Sequence, residues 1–390
     1  MPPTRAIKRT DVEFSLSADQ RELKSAARRF LSAVSTPEYV LKVMASERGY
    51  DADVWSRAAT ELGWAALTIP EEYGGLGMGA LDLYPLMEEM GRHVFCSPFF
   101  STVCLGANAI TLCGNDAQKS RWLEPIAMGG LTIALAINET RAEIDTGDIQ
   151  TTFETIGTGF KLNGVKRYVV DGCTAGLLLI VAREKGSAGT DGIALFAVER
   201  TETGVDPQWT PTMDQTRKQA TIALDNVTVP ADSKLDGTTP TWAALEKTVQ
   251  LALAALCAEQ VGGAEACLEM AVEYAKVRQQ FGKPIGSFQA IKHKCADMLL
   301  RVESARSAAL YASAVVDAAP NELREASALA KAYCSETYDF CAGENIQIHG
   351  GIGFTWEHAA HLYYKRARSS RLLFGLPQVY REIVAQEVGL

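Results

Sequence analysis

The chain has 390 residues, 47% of them hydrophobic, and a net charge of −9. That is enough for two or three domains, each with its own core. The acidic balance, without any long basic run, argues against nucleic acid as a partner; the largest basic cluster, Tyr364-Lys-Arg-Ala-Arg368, reads as one helix face. None of the nine cysteines forms a C-x-x-C pair, so they read as buried thiols of a reducing compartment, not disulfides or zinc ligands. Residues 1–10 lack the apolar core of a secretory signal. No apolar run approaches the ~18 residues that span a bilayer. These readings predict a soluble cytoplasmic protein.

In chain order, residues 1 to about 130 read as helical. Ser17-Ala-Asp-Gln20 has the form of a capping box, and Leu23, Ala26, Ala27, Phe30 and Leu31 then fall on one face. Pro and Gly make Pro70-Glu-Glu-Tyr-Gly-Gly-Leu-Gly77 a loop, and buried helices are predicted at 81–91 and 102–112. Residues 131–235 change character. Strands are predicted at 131–137, 177–182 and 192–198, and Asn163-Gly164, inside the extended stretch 160–170, predicts a hairpin turn. Residues 236–390 are helical again, with periodic segments at about 241–279, 287–318, 321–348 and 357–369. Helices, then strands, then helices predict an α+β protein of three segregated domains, 1–130, 131–235 and 236–390, and not a doubly wound sheet.

Two strings carry chemistry. Arg278-Gln279-Gln280-Phe281-Gly282-Lys-Pro-Ile-Gly-Ser-Phe-Gln289 lies where one long helix ends and another starts. A guanidinium and a ring at a helix end suit a planar, anionic ligand; alternatively Arg278 complements the helix dipole and Phe281 joins the core. Gln347-Ile-His-Gly-Gly-Ile-Gly-Phe354 brings backbone N–H groups where a phosphate can approach, or is a turn between helices. No G-x-G-x-x-G follows a strand, so this is not a Rossmann fingerprint.

The first string resembles the signature R-x-Q-F-G-x-x-I-x-x-F-Q of acyl-CoA dehydrogenases, and His293-Lys-Cys-Ala-Asp-Met298 continues the match. The second is similar to that family's Q-x-x-G-G-x-G-[FY] loop, and the Pro70–Gly77 string to its N-terminal loop. The resemblance covers nearly the whole chain. It implies an N-terminal helical domain, a middle β-barrel-like domain and a C-terminal four-helix bundle. It implies FAD as cofactor, with Arg278, Gln280, Phe281, Gln289, Gln347, Gly350 and Gly351 reaching the FAD of a neighbouring subunit. It also implies an acyl-CoA substrate and electron-transfer flavoprotein as the electron acceptor.

The middle domain departs from the family pattern. Where members carry T-E-P-x-A-G-S-D this chain has Asn138-Glu139-Thr-Arg-Ala-Glu-Ile-Asp145, and Trp-Ile-Thr-Asn becomes Tyr168-Val-Val-Asp171. Asn138 and Tyr168 are the flavin contacts this alignment implies; Tyr168 keeps a ring, whereas Val170 lacks the Thr hydroxyl. The family base is a Glu at one of two seats, which here hold Phe374 and Ala252. Glu246 and Glu259, on the same helix as Ala252, are substitute candidates, with solvated or structural roles as the alternative. The backbone N–H of residue 374 survives any substitution and can donate to a thioester oxygen.

Arg368-Ser-Ser-Arg-Leu-Leu-Phe-Gly-Leu-Pro377 and Gly353-Phe-Thr-Trp-Glu-His358 resemble a bacterial branch of α2β2 heterotetramers acting on steroid-derived CoA esters, in which one subunit supplies the Glu. The expected function is acyl-CoA α,β-desaturation by a homotetramer or by one subunit of such a heterotetramer. The alternatives are a non-catalytic FAD- and acyl-CoA-binding subunit that scaffolds a catalytic homologue, and a flavin oxidase or monooxygenase. His358 and His361 have helical spacing but no third ligand, so no metal is expected. His349 and His293 are candidates to hydrogen-bond near the flavin, with an ordinary core or surface position as the alternative.

Overall fold

The computed structural model describes residues 15–390; the reading of residues 1–10 lies outside the described residues. Ser17 caps α1 (Ala18–Val34): its Oγ accepts the Gln20 N–H at 3.1 Å, and the Gln20 side chain accepts the Ser17 N–H at 2.9 Å. Then follow α2 (Pro37–Met44), α3 (Ala52–Ser56) and α4 (Ala80–Arg92). The buried segment read at 102–112 begins as a wide π-helical stretch, Phe100–Ala107, and tightens into α5 (Asn108–Cys113) before α6 (Asp116–Ala127).

Seven strands form one curled sheet: β1 (Ile133–Ala136), β2 (Thr152–Ile156), β3 (Gly159–Val170), β4 (Leu177–Glu184), β5 (Ile193–Glu199), β6 (Val205–Thr210) and β7 (Gln219–Pro230). Their order is β1-β4-β2-β3-β7-β6, with β5 also paired to β4. β4 reads as an unbroken apolar run because both its faces are covered. Leu177, Leu179 and Val181 join the core shared with the helices; Leu178, Ile180 and Ala182 join the core inside the sheet.

The hairpin turn expected at Asn163-Gly164 is not there. β3 runs straight through these residues as a bulge, with its register against β7 shifting between Leu162 and Gly164. The cause is close packing: a Cβ on Gly164 would lie 2.6 Å from the Thr151 Cα, and Asn163 Oδ1 accepts the Asn226 N–H at 2.8 Å. The turn falls earlier, at Gly157-Thr158, where Ile156 pairs with Gly159 and Gly157 takes φ +55°.

The remainder is helical: α7 (Thr241–Val277), a two-residue hairpin β8 (Gln279–Gln280) and β9 (Lys283–Pro284), then α8 (Gln289–Ala318), α9 (Leu323–His349), α10 (Ala360–Leu372) and α11 (Pro377–Glu387). By length and composition α7 is apolar enough to cross a membrane, which inspection of unbroken apolar runs missed; 89% of its most apolar window is buried inside the molecule. Its apolarity serves a core, packed against α4, α8 and α9. The nine cysteines are free thiols, seven of them buried.

Two glycines let α4 and α7 touch backbone to backbone. A Cβ on Gly91 would sit 1.9 Å from the Glu259 carbonyl oxygen, and one on Gly262 would sit 1.8 Å from that of Glu88. Gly262→Ala therefore forces the two helices apart. We expect it to lower stability by about 1–3 kcal/mol, read as a fall in the thermal unfolding midpoint; an unchanged midpoint refutes the close approach.

Candidate functional site

A cavity of about 310 Å³ opens where the ends of β1 and β3, the loop between β6 and β7, and the end of α10 converge. Leu135, Ile137 and Leu372 give it apolar walls, and Tyr168, Asp214 and Phe374 stand at its edge. Left-handed backbone is costly for a residue with a side chain, about 1–3 kcal/mol, and tends to collect at functional sites. Six non-glycine residues adopt it among the described residues, and three are positions the sequence had singled out: Tyr168 (φ +56°), Phe281 (+52°) and Phe374 (+60°).

The Phe374 turn is held from its carbonyl side. The Tyr380 hydroxyl donates to the Phe374 carbonyl at 2.5 Å, and Gly375 N–H closes onto Leu372 O at 3.1 Å. The Phe374 N–H donates to no acceptor among the described residues. One turn back, the buried ammonium of Lys331 donates to the carbonyls of Ser370 (2.6 Å) and Arg371 (3.3 Å), filling acceptors at the end of α10 and matching its dipole. Burial pushes that ammonium down to about 7.

The sequence-predicted residues divide into three groups. Asn138 and Tyr168 line the cavity with Phe374. The Asn138 amide is occupied locally, donating to the carbonyls of Arg141 (3.1 Å) and Ala142 (2.8 Å), so it shapes the cavity rim. Beside it, Glu139 is a structural anchor: it receives the buried Lys166 ammonium at 2.6 Å and the N–H groups of Gln150 and Thr151 at 2.8 and 3.0 Å. Burial pushes Lys166 down to about 8, against the pull of Glu139.

The second group sits at one end of the helical bundle. The ring of Tyr274, near the end of α7, stacks on His349 at the end of α9, 4.2 Å between centroids. This contact brings the two sequence strings together. Phe281 and Gly282 form the two-residue turn between β8 and β9, both with positive φ as such a turn requires. The turn lifts Phe281 out of the protein, 91% exposed, so it does not belong to the core of this chain. Arg278, Gln280, Gln289 and Gln347 are exposed too, and Arg278 has no ion pair among the described residues. A Cβ on Gly350 or Gly351 would meet nothing within 4 Å. None of this group lines the cavity.

The third group, the substitute bases, does not reach the cavity. Glu246 is exposed on α7, and Ala252 is buried in the helical core. Glu259 is fixed between two guanidinium groups: Oε1 accepts from Arg366 at 2.8 Å and Oε2 accepts from Arg217. Burial raises its affinity for a proton, but Arg217 and Arg366 outweigh that and hold the carboxyl below its usual range. A carboxylate with both oxygens bonded to cations is a structural ion. No group of three or more His, Cys, Asp or Glu among the described residues is placed to hold a metal.

Family models for the acyl-CoA dehydrogenase N-terminal, middle and C-terminal domains match residues 17–130, 134–227 and 242–389. The chain belongs to the acyl-CoA dehydrogenase family. It is 31% identical to the acyl-CoA dehydrogenase IpdE2 of Mycolicibacterium smegmatis, over 93% of this chain and 96% of that one. It is 32% identical to IpdE2 of Mycobacterium tuberculosis, over 95% and 97%. Its fold matches butyryl-CoA dehydrogenase from Megasphaera elsdenii with a TM-score of 0.88 at 26% identity, covering 97% of this chain and 100% of that one. An FAD complex of PigA matches with a TM-score of 0.89 at 25% identity, over 97% and 100%. The chain is thus an oxidoreductase-family flavoprotein whose cofactor is FAD.

Asp214 and Lys331 escaped sequence reading. Thr212-Met-Asp-Gln-Thr-Arg217 looks like an ordinary polar turn between strands, and nothing local marks Asp214 as facing a cavity. Lys331, in the Ala-rich α9, reads as solvent-facing until α10 is seen packed over it.

Two outcomes follow. Glu259→Gln leaves Arg217 and Arg366 buried with a neutral partner and should cost about 3–5 kcal/mol, seen as a lower unfolding midpoint; an unchanged midpoint refutes the structural role. For Lys331, the unfolded chain holds more protons than the folded one between about 7 and its ordinary 10.5. The penalty of burying this cation is therefore complete below pH 7 and is relieved as pH rises. Relative to Lys331→Met, the wild type should gain stability from pH 7 to 9 by up to about 1.4 kcal/mol per pH unit; parallel pH curves refute it.

Proposed function

We propose that this chain is a component of an FAD-dependent acyl-CoA dehydrogenase that places an α,β double bond in a bulky, steroid-derived acyl-CoA. It works as a homotetramer or as one subunit of an α2β2 assembly with a homologue, and passes electrons to electron-transfer flavoprotein. The observation that carries this reading is the division of the FAD-type features between two surfaces of one protomer. Tyr168, the unpaired Phe374 N–H and an apolar cavity lie on one; Arg278, Phe281, Gln347, Gly350 and Gly351 stand exposed on the other.

Both surfaces suit FAD. The cavity offers a ring to stack on and dry walls for an isoalloxazine. The bundle end offers a free guanidinium, an exposed aromatic ring and glycine backbone open to a pyrophosphate. Bound there, FAD supplies the hydride acceptor. The chain's own groups do the rest: Tyr168 positions the ring, and the Phe374 N–H donates to the thioester oxygen as negative charge develops on it. In this assembly the bundle end of one subunit serves the cofactor seated in another.

A second reading, a non-catalytic subunit that binds FAD or acyl-CoA for a catalytic homologue, is favoured by the side chains at 374 and 252, neither of which can take a proton. Purification alone and together with the homologue, followed by flavin absorbance, mass and acyl-CoA-dependent dye reduction, separates the two. Retained turnover when this chain is left out of the assembly defeats the first reading. Arg278→Ala, at an exposed position, should leave the unfolding midpoint unchanged while FAD retention falls about 10- to 10²-fold, as expected for one lost charged hydrogen bond of about 1.5–3 kcal/mol. Normal FAD retention in that variant removes Arg278 from the site.

A further inference from the structure

A regular strand sends successive side chains to opposite faces of its sheet, yet the neighbours Arg167 and Tyr168 of β3 are both exposed. A bulge is the cause. Lys166 pairs with Ile222 and Val169 with Ala220, so two residues of β3 oppose one of β7, Thr221. Tyr168 takes its left-handed φ of +56° at this bulge. Lys166 stays buried on Glu139, whereas Arg167 and Tyr168 both reach the rim of the cavity and line it. The Arg167 backbone is pinned there, its N–H donating to the Asn138 carbonyl at 2.9 Å. Arg167, Asp214 and Arg368 are the charged side chains lining the cavity, and two of them have partners. Asp214 is held by Thr216 and faces Arg366 within the buried ion cluster, and Arg368 pairs with Asp339 at 2.9 Å. The Arg167 guanidinium has neither an ion pair nor a hydrogen bond among the described residues.

We propose that Arg167 is the anion anchor of the cavity, binding a phosphate of the ligand that the cavity takes. This rests on the FAD and acyl-CoA reading and deepens it, because it names a contact at the rim, outside the apolar walls. Both ligands of that reading carry phosphate: FAD in its pyrophosphate, an acyl-CoA in its CoA portion. The chain's charge of −9 repels such ligands at long range. An unpaired cation at the rim offsets that repulsion where the ligand enters, and salt screens its attraction. A guanidinium also bonds two phosphate oxygens at once through one planar fork, which a lysine cannot do. A carboxylate of the protein paired to Arg167 would cancel both effects. The bulge thus presents two adjacent side chains to one ligand: the Tyr168 ring for its apolar part and the Arg167 guanidinium for its charge.

The test compares ligands with and without phosphate on the protein in its purified assembly. The probes are FAD, titrated into the flavin-free protein, and two thioesters, titrated at saturating FAD. One is 3-thiaoctanoyl-CoA, in which a sulphur atom replaces the β-carbon and blocks hydride loss. The other is the N-acetylcysteamine thioester of the same acid, which carries no phosphate. Arg167→Ala, at an exposed position, should keep the unfolding midpoint and weaken the phosphate-bearing ligand about 10- to 10²-fold, the loss of one charged hydrogen bond. Arg167→Lys keeps the charge without the fork and should fall between the two. Weaker FAD with both thioesters unchanged assigns the pyrophosphate to Arg167. A weaker CoA ester with the N-acetylcysteamine ester unchanged assigns the CoA phosphates. The wild type's affinity for that ligand should also fall more steeply with added salt than the alanine variant's. FAD and the CoA ester both within twofold of wild type in Arg167→Ala overturn the proposal. Equal weakening of the two thioesters overturns it as well, because the contact is then not to phosphate. Failure of the wild type to bind either FAD or the CoA ester defeats the acyl-CoA dehydrogenase reading itself, a result distinct from the loss of Arg167.

Discussion

The structure turns on one buried carboxylate held between two arginines. Glu259 of α7 receives Arg366 from α10 and Arg217 from the loop leading into β7, and the ring of Phe100 lies 4.7 Å beneath the Arg217 guanidinium. One ion cluster thus fastens the N-terminal helices, the sheet and the helical bundle. Such clusters are poor sources of net stability, because desolvating the ions costs nearly what their attraction returns. Their effect is geometric: a charge that is penalised everywhere else fixes where three elements meet. The cavity lies at that meeting point, and Asp214 is both the fourth ion of the cluster and part of the cavity wall. The position of the site is therefore a consequence of where the charges cancel.

Strain in the backbone is distributed with the same economy. Tyr168, Phe281 and Phe374 all hold left-handed conformations that glycine adopts more readily. At Phe281 the reason is turn type, since the two-residue hairpin needs positive φ at both central positions. At Phe374 the turn is fixed by the bond from the Tyr380 hydroxyl to its own carbonyl and by the bonds from Lys331 to the carbonyls just before it. In each case a bulky ring occupies a position that local preference would give to a small residue, so packing and presentation outweigh propensity.

The class and the layout were legible because they rest on periodicity and caps, which are local. The capping box at Ser17, the strand β4 and the four long helices α7 to α10 are set by residues within a turn or two of one another. The Asn163-Gly164 turn was misread because the same dipeptide serves a bulge when another strand crowds it, and the crowding residue, Thr151, belongs to the segment just before β2. The bundle-end residues could be picked out because they form unbroken strings. Glu259 passed as a substitute base and Asp214 passed unnoticed for one reason: the partners that decide their roles, Arg217 and Arg366, come from distant parts of the chain. Contact across domains leaves no pattern in the sequence.

The Phe374 turn separates what the main chain does from what the side chain does. Its amide direction is set by the Leu372–Gly375 turn, by Tyr380 and by the Lys331-tied end of α10, none of which involves the ring. Proton transfer can therefore move to another residue without loss of the oxyanion donor. The ring has a second consequence. At 7% exposure it fills space that a carboxylate would have kept hydrated. Excluding water lowers the local dielectric, which strengthens the amide's attraction for developing charge. A residue that cannot itself take a proton thus leaves the amide it carries a stronger donor.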